Sequence, residues 1–524
     1  MSASTEKKQR QAAREAGTDK KTLAEQEAAK KKAKSNRRWT LGTIGVILLI
    51  ALILFLNSSF LYTHTTAISI GDASYSPAEV NYVYANRYYN WIQSYGSYAS
   101  IFGLDTSTGI AGLKQQKCPM YDDGRTWHDY FMEEARSELS QMTALCAWAD
   151  ANGVTLTDEE IAEVDDSIAA LDSSARAGGY ASGDKYFSAN YGTGVTSAIV
   201  REMALKSALA NKASSEYASS LEYTDAELEE HYQSLDGAQD KFSFSYYLVN
   251  AEKVESTDAD GNTSSAVTEE TTAAAKDAAD DILTAYTALK QSNPDDDNYT
   301  AMLNSAVAQV APTAEATERS NITGGNLGDY KEWLMESGRK AGDATVVDKA
   351  DGSGSYVVVF LDRSDNHYPV AQVRHILIKA VADSDGSYTD KAKEIAKNRA
   401  EEILAEFNAG DKTEDSFAEL AKDYSEDTGS AENGGLYDTV YKGATVEEFD
   451  KFCFEGHKKG DTAIVYGESS SYAGYHVMYY VGEGDLYSNL LAKNDLVNTT
   501  VSQWVEDQVN ALTGTNGWWL RIAG

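Results

Sequence analysis

The hydrophobic pattern of the chain begins with one continuous apolar run. No charged residue occurs from Trp39 to Gly71, and Leu41–Leu56 consists almost entirely of Leu, Ile, Val, Gly, Ala and Phe. About 20 apolar residues span a bilayer as a helix, and Trp39 and Tyr62 suit the aromatic positions at its two interfaces. The pattern therefore predicts a transmembrane signal anchor at residues 39–61.

The charge on the two sides of this run predicts its orientation. Residues 1–38 carry 12 Lys/Arg and 5 Asp/Glu, a net charge of +7, which leaves −42 on residues 39–524. By the positive-inside tendency, the basic tail at 1–38 is cytoplasmic and the bulk of the chain is extracytoplasmic, on a single-pass protein of the cell membrane. The alternative is a cleaved signal peptide, although no clear small-x-small cleavage site follows the apolar run. The acidic remainder argues against nucleic-acid binding, which needs clustered Lys and Arg.

Helical patterns dominate the next region, residues 62–240, which we interpret as a helical chaperone-like domain. Ser76, Pro77 and Glu79 form a helix start with the spacing of a capping box. A longer amphipathic helix is predicted at Thr126–Asn152. The aromatic residues of the first helix allow two interpretations, core packing or a partly exposed surface for unfolded chains. These residues are Tyr82, Tyr84, Tyr88, Tyr89, Trp91 and Tyr95.

Two blocks with the same order of elements follow, at 241–367 and 368–484. Each has a strand, two helices, a Gly-Gly pair, a short apolar segment, a Lys–Asp turn and a final strand. The clearest pairing is SGRKAGDATVV with EGHKKGDTAIV, so we interpret the blocks as a duplicated α+β domain. The insertion Glu252–Thr272, rich in Ser, Thr, Asp and Glu, is typical of a disordered loop. The remainder, 485–524, predicts a C-terminal helix that packs on the helical domain.

The three cysteines are Cys118, Cys146 and Cys453. An odd number leaves at least one thiol without a partner in the chain, and no CxxC or His/Cys cluster indicates a metal site. Two alternatives therefore remain: a Cys118–Cys146 disulfide, or three buried thiols.

The second block resembles the parvulin family of peptidyl-prolyl cis/trans isomerases. Six pieces carry the resemblance, in order and at compatible spacings: RHILI, FAELAKDYSED, SAENGGL, EEFDKFCF, KKGDTAIV and GYHVMYYV. Asp383 and Asp385 follow the first strand, where the phosphate-directed members carry basic residues, so the block resembles the broad-specificity bacterial branch. The order of anchor, helical domain, two parvulin-like domains and C-terminal helix resembles the SurA and PrsA foldases of bacterial envelopes. The expected fold class is therefore a multidomain α+β protein with one transmembrane helix.

The resemblance also implies the site residues. His375 and His476 match the paired central histidines, and Asp427 matches the acidic position near the substrate carbonyl. Substrate-binding positions are implied at Leu436, Thr445, Phe449 and Ser471: Leu436 and Phe449 as walls of the proline pocket, Thr445 where the family usually has Met, and Ser471 as the hydroxyl partner of the histidines. Rotation about an Xaa–Pro amide breaks no bond, so neither a metal nor a cofactor is expected.

The first block lacks this constellation. Tyr246 stands at the position of His375, Val357 at that of His476, and Thr317 near that of Asp427. We therefore expect a degenerate, inactive parvulin-like domain, retained for peptide binding or spacing.

Together these features predict an extracytoplasmic foldase that isomerises Xaa–Pro bonds and binds unfolded or newly secreted proline-containing polypeptides. The alternative is a non-enzymatic holdase that uses both parvulin-like domains only for peptide binding. A cell-surface adhesin or scaffold has no positive signature beyond the acidic surface, and no feature of the sequence indicates an oligomeric state.

Overall fold

A computed structural model describes residues 3–17, 20–56, 58–257 and 263–524. Its helices are α1 (Ala3–Glu15), α2 (Lys20–Leu56), α3 (Phe60–His64), α4 (Pro77–Tyr95), α5 (Trp127–Asn152), α6 (Asp158–Ala177), α7 (Gly183–Tyr191), α8 (Ser197–Ser219), α9 (Asp225–Ser234), α10 (Glu269–Ser292), α11 (Tyr299–Val310), α12 (Lys331–Met335), α13 (Asp390–Ala409), α14 (Glu414–Tyr424), α15 (Glu447–Phe454) and α16 (Tyr487–Asn510). Its strands are β1 (Ile68–Ile70), β2 (Ala73–Tyr75), β3 (Lys241–Asn250), β4 (Val254–Thr257), β5 (Thr263–Ala266), β6 (Thr317–Thr323), β7 (Ala344–Asp348), β8 (Gly354–Ser364), β9 (Pro369–Lys379), β10 (Leu436–Val440), β11 (Thr462–Glu468), β12 (Ala473–Leu486) and β13 (Gly514–Asn516).

The predicted anchor at 39–61 falls on the end of α2, on Asn57, which lies outside the described residues, and on the start of α3. Among the residues that the structure describes, no helix combines the length and the apolar character needed to cross a membrane. The transmembrane helix thus stays a prediction from the sequence.

The chain divides into two compact units. The first contains the described residues up to Leu221 together with Thr499–Gly524, and the second contains Glu222–Asn498. The sequence placed α9 in the helical domain, but it belongs to the second unit. The reason is its packing: Leu228 and Tyr232 of α9 form a buried cluster with Ala492 of α16.

The first unit is built on helices whose starts are fixed by capping boxes. Ser76 caps α4 with Glu79, Thr126 caps α5, and Thr157 caps α6. Each cap satisfies backbone N–H groups that the first helical turn leaves unpaired. The core packs around Trp127, which is fully buried.

The aromatic residues of α4 divide between the two interpretations that the sequence left open. Tyr84 and Tyr88 are buried, and Trp91 packs against the core. Tyr89 and Tyr95, in contrast, are exposed. Part of this aromatic set therefore builds the core and part lies on the surface.

The C-terminal segment packs within the first unit. Strand β13 pairs antiparallel with β1, with Ile68 opposite Asn516. Trp504 of α16 stacks on Tyr217 at a ring-centroid distance of 4.0 Å. Helix α16 begins at Tyr487, near the start of the predicted C-terminal segment 485–524.

The second unit contains two four-stranded antiparallel sheets with the same strand order, β6-β3-β8-β7 and β10-β9-β12-β11. We call them the first and the second lobe. In each lobe two helices, α10 and α11 or α13 and α14, cover one face of the sheet. A shorter helix, α12 or α15, covers the other face. The two blocks seen in the sequence thus have one topology.

The insertion in the first lobe differs from the predicted disordered loop. Strands β4 and β5 form a hairpin, with Val254 opposite Ala266, and α10 begins at Glu269. Thr and Val favour strands, and the antiparallel ladder pairs their backbone groups. The part of the predicted loop at 258–262 lies outside the described residues.

All three cysteines are free thiols. Cys118 and Cys453 are buried and Cys146 is half-buried, so the alternative of a Cys118–Cys146 disulfide is wrong for this structure.

Candidate active site

Two buried histidines stand side by side on the central strands of the second lobe. His375 of β9 lies opposite Met478, and His476 of β12 lies opposite Leu377. His476 is therefore two residues from the partner of His375, which places both side chains on one face of the sheet. Their exposed fractions are 2% and 4%.

The side chains of these histidines form a continuous chain of hydrogen bonds. The two Nδ1 atoms are 3.0 Å apart. At one end, Nε2 of His375 lies 3.0 Å from Oδ2 of Asp427. At the other end, Nε2 of His476 lies 3.0 Å from the hydroxyl of Tyr472. The four residues thus share one buried polar network.

The loop before β10 holds Asp427 against β9. The Ser425 hydroxyl accepts from the backbone N–H of Leu377 at 3.2 Å and from that of Asp427 at 3.3 Å. The hydroxyls of Ser430 and Tyr437 donate to Oδ2 of Asp427 at 2.5 and 3.1 Å. With His375, three donors therefore converge on one carboxylate oxygen.

The donors lower the pKa of Asp427 well below its usual range, the hydrogen bond from His375 contributing most. A carboxylate only accepts hydrogen bonds, so Nε2 of His375 carries the proton. In the tautomer with one proton on each ring, Nδ1 of His375 accepts from Nδ1–H of His476. Nε2 of His476 then has no proton and accepts from the Tyr472 hydroxyl. Burial, with a smaller effect from His375, lowers the pKa of His476 to about 3, so this ring is neutral at physiological pH.

An aromatic wall adjoins the network. The ring of Phe449, which is 2% exposed, lies 5.3 Å from the ring of His375 and 5.2 Å from that of His476. Leu436 is half-buried on β10, opposite Arg374 of β9. Thr445 precedes α15, and its hydroxyl is buried without a hydrogen-bond partner among the described residues.

The structure brings His375, His476, Asp427 and Phe449 together as the resemblance implied, but it separates Ser471 from them. The Ser471 hydroxyl lies 3.0 Å from that of Ser469 on the surface. Tyr472, the next residue, supplies the hydroxyl at His476 instead. The prediction was one position off because Ser471 and Tyr472 lie in the turn between β11 and β12, where no strand periodicity indicates which side chain faces His476.

Sequence reasoning also missed Ser430 and Tyr437. Both lie within ten residues of Asp427, but hydroxyls near a carboxylate are common in sequences. Only the fold of the loop shows that these two donate to it.

Comparison with known families agrees with this geometry. Residues 358–480 match the model of the PPIC-type PPIase domain. The chain carries a parvulin-type peptidyl-prolyl isomerase domain. The match begins inside β8 of the first lobe and extends almost to the end of the second lobe.

The curated relatives of the chain include foldases. The chain is 30% identical over 159 residues to foldase protein PrsA 3 of Bacillus anthracis, which covers 29% of this chain and 48% of that relative. It is 36% identical over 139 residues to foldase protein PrsA of Staphylococcus aureus, covering 26% and 40%. The chain thus spans about half or less of the length of the curated relatives it matches.

Solved structures add a weaker likeness. A crystal structure of PrsA from Bacillus subtilis aligns with 74% of this chain and 88% of its own, at 15% identity and a TM-score of 0.28. The isomerase PrsA from Bacillus anthracis aligns with 28% of this chain and 59% of its own, at 24% identity and a TM-score of 0.18. Scores of this size do not establish a common overall arrangement.

The first lobe has tyrosines where the isomerase domain has its histidines. Tyr246 lies opposite Val358, and Leu248 opposite Tyr356. If Tyr246 matches His375, the counterpart of His476 is Tyr356 and not Val357 as the sequence suggested. Val357 faces the helix-side core, where it is fully buried.

A third tyrosine completes this site of the first lobe. The ring of Tyr330 lies 5.8 Å from that of Tyr246 and 5.4 Å from that of Tyr356. Phe449 has the same relation to the two histidines. Thr317, expected near the place of Asp427, lies on the edge strand β6 opposite Tyr246 and is exposed.

Proposed function

We propose that this chain is a foldase that isomerises Xaa–Pro bonds in secreted or envelope proteins and also holds unfolded chains. The observation that carries the proposal is the buried network from Tyr472 through His476 and His375 to Asp427, next to the ring of Phe449. The foldase names of the relatives that share the domain support the same function.

The geometry suits rotation about an amide. The barrier of about 18–20 kcal/mol arises from the resonance of the planar peptide bond, and a twisted amide has less charge separation than a planar one. An apolar wall such as Phe449 therefore favours the twisted form of a bound prolyl bond over the planar form. The network is neutral at His476 and carries the charge of the Asp427 carboxylate at its other end, where the family resemblance places the substrate carbonyl.

The direct test is a proline-isomerisation assay on the full chain with a short Xaa-Pro peptide. We expect turnover that His375→Ala or His476→Ala abolishes. His457→Ala is the matched control, because His457 lies in the same domain but stacks on Phe452 instead of joining the network. No turnover by the unaltered chain contradicts the enzymatic part of the proposal.

The non-enzymatic holdase remains the second candidate. The observation in its favour is Thr445, whose buried hydroxyl has no hydrogen-bond partner among the described residues and stands where the family usually has Met. Suppression of client aggregation by a chain that has no isomerase turnover is the result that favours this candidate.

The first lobe has a binding role in this proposal. Three tyrosines stand where the second lobe has two histidines and a phenylalanine, so the site offers aromatic surface but no pair of imidazoles. We expect no residual turnover after His476→Ala, and turnover that persists assigns catalysis to the first lobe. Reduced aggregation suppression by Tyr330→Ala, with turnover unchanged, supports the binding role.

The cellular location of the chain is also part of the proposal, and it rests on the sequence alone. We propose a cytoplasmic tail at 1–38, a single membrane anchor at 39–61 and an extracytoplasmic remainder, with newly secreted proline-containing chains as clients. Membrane fractionation with protease protection tests this: the fragment beyond 61 is accessible from outside, and the full-length mass excludes cleavage after the apolar run.

A further inference from the structure

A groove of about 490 Å³ lies between α6 and α8 in the first unit. Val200, Ala204 and Ala208, spaced four residues apart, form one side of it. The other side is an apolar stripe of α6, whose members are Val164, Ile168 and Leu171. Small alanines on one side leave room for the side chains of another segment.

The fold buries this stripe only in part. Ala175 is the one residue of α6 that is fully buried. Val164 and Ile168 are half-buried, and Leu171 is 42% exposed. An amphipathic helix normally turns such a stripe into the core, so α6 retains apolar surface that another segment can cover.

The surroundings of the groove are strongly acidic. Helix α6 contains seven acidic residues and one basic residue. Glu160 and Glu163 line the groove, and Glu160 pairs with Lys212 at 2.7 Å. Glu163 has no ion-pair partner among the residues described. The groove therefore combines an apolar interior with a rim of two acids and no basic lining residue, and Glu163 is the unpaired acid of the two.

We propose that this groove binds client segments in which apolar residues alternate with Lys or Arg at helical spacing. This inference rests on the holding part of the proposed function and names its site and its client chemistry. The apolar side chains lie against the α6 stripe and the alanines of α8, and the basic side chains face the acidic rim. Charge complementarity selects this occupant, because an acidic amphipathic segment of the same shape is repelled.

The test is binding of a fluorescent peptide to the full chain, followed by anisotropy. The probe is a peptide of about 14 residues, roughly four helical turns, with Leu on one face and Lys on the other. Its comparison peptides replace Lys by Glu, or Leu by Ser. We expect the Leu/Lys peptide to bind at least about tenfold tighter than either, with weaker binding at about 1 M salt, where the Debye length falls to about 3 Å.

Variants locate the site. Ala204→Trp fills the groove, and we expect at least about tenfold weaker binding of the Leu/Lys peptide. Ser207→Trp is the control, because Ser207 is exposed on the same helix and does not line the groove. Leu171→Ser is a second variant that leaves the fold intact, since Leu171 is already exposed, and it also weakens binding.

A charge variant tests the contribution of the acidic rim to binding. We expect Glu163→Gln to weaken binding of the Leu/Lys peptide by about two- to fivefold, the effect of losing one exposed ion pair. Glu216→Gln, an exposed acid of α8 outside the groove, has no effect.

Isomerase turnover on a short Xaa-Pro peptide is measured in the same samples. The groove lies in the other unit from the isomerase domain, so all groove variants retain turnover. Equal binding of the Lys and Glu peptides, no binding of the Leu/Lys peptide, or binding unchanged in both Ala204→Trp and Leu171→Ser overturns the inference. Binding without turnover contradicts only the enzymatic proposal and leaves the groove assignment standing.

Discussion

Replacing Tyr472 by phenylalanine tests the assignment that the structure adds to the sequence. The Tyr472 hydroxyl donates to Nε2 of His476 at 3.0 Å. His476 is 4% exposed, and its lowered pKa of about 3 keeps the ring neutral. Nε2 therefore remains an acceptor that needs a donor after the hydroxyl is gone.

The cost of this substitution follows from burial. A buried acceptor left without a partner costs about 1–3 kcal/mol. Tyr472 is itself half-buried, so water can reach part of the vacated space, and we expect about 1–2 kcal/mol. That free energy corresponds to about a 5- to 30-fold change.

The assay is kcat/KM for isomerisation of a short Xaa-Pro peptide by the full chain. We expect Tyr472→Phe to lower it about 5- to 30-fold. Ser471→Ala is the matched control: its exposed hydroxyl bonds to Ser469, and we expect a change within about twofold, the usual range of surface substitutions. Amide exchange along β12 reports any local loss of stability separately, because a chain of several domains does not unfold in a single step.

Two results refute this reasoning. If Ser471→Ala lowers kcat/KM as much as Tyr472→Phe, the hydroxyl at His476 has been misassigned. If Tyr472→Phe has the activity of the unaltered chain, the hydroxyl does not support the histidine network.

Three further predictions concern the same domain. Because the pKa of His476 is lowered to about 3, the unfolded chain binds a proton between about pH 6.5 and pH 3 that the native state does not. The free energy of unfolding therefore falls by about 1.4 kcal/mol per pH unit as the pH decreases through this window. Loss of amide protection along β12 with decreasing pH checks this. If His476→Gln leaves that pH dependence unchanged, the prediction is wrong. Gly435→Ala destabilises the domain, because Gly435 has φ +71° and an added Cβ meets the backbone of His375; amide protection along β9 equal to that of the unaltered chain refutes this. Thr445→Val replaces a buried hydroxyl that has no partner among the described residues by a methyl group and raises the stability of the domain by about 1–2 kcal/mol. Reduced amide protection along β12 in this variant shows that the hydroxyl has a partner.

Much of the second lobe could be predicted because its elements carry local signals. Strand β9 contains a short apolar run typical of a buried strand, and helices α13 and α14 follow helical patterns. His375 and His476 could be paired before the structure because they lie on strands that the family resemblance makes neighbours. Ser430 and Tyr437 could not be found in this way, since they reach Asp427 through a loop whose path has no periodic pattern.

The domain boundaries also separate what local patterns predict from what only the structure shows. The sequence assigned α9 to the helical domain from its helical pattern, which is correct for the helix itself. Its packing on Ala492 joins residues more than 250 positions apart, and no local pattern reports such a contact. The hairpin β4–β5 was missed because its composition is typical of a loop, while cross-strand hydrogen bonds, which are not local, stabilise it.

The sequence by itself determined that the chain has duplicated α+β domains and that only the second has the histidines of an isomerase, because residue identity and order along the chain are local facts. The tertiary structure decided the register between strands. The register of β3 against β8 selects Tyr356 over Val357 in the first lobe. The physical reason is that side chains alternate between the two faces of a strand, so a shift of one residue, invisible in composition or motif, moves a ring into the site or out of it. At His476 the path of the turn between β11 and β12 selects Tyr472 over Ser471, and a turn has no periodic pattern from which the sequence could show this.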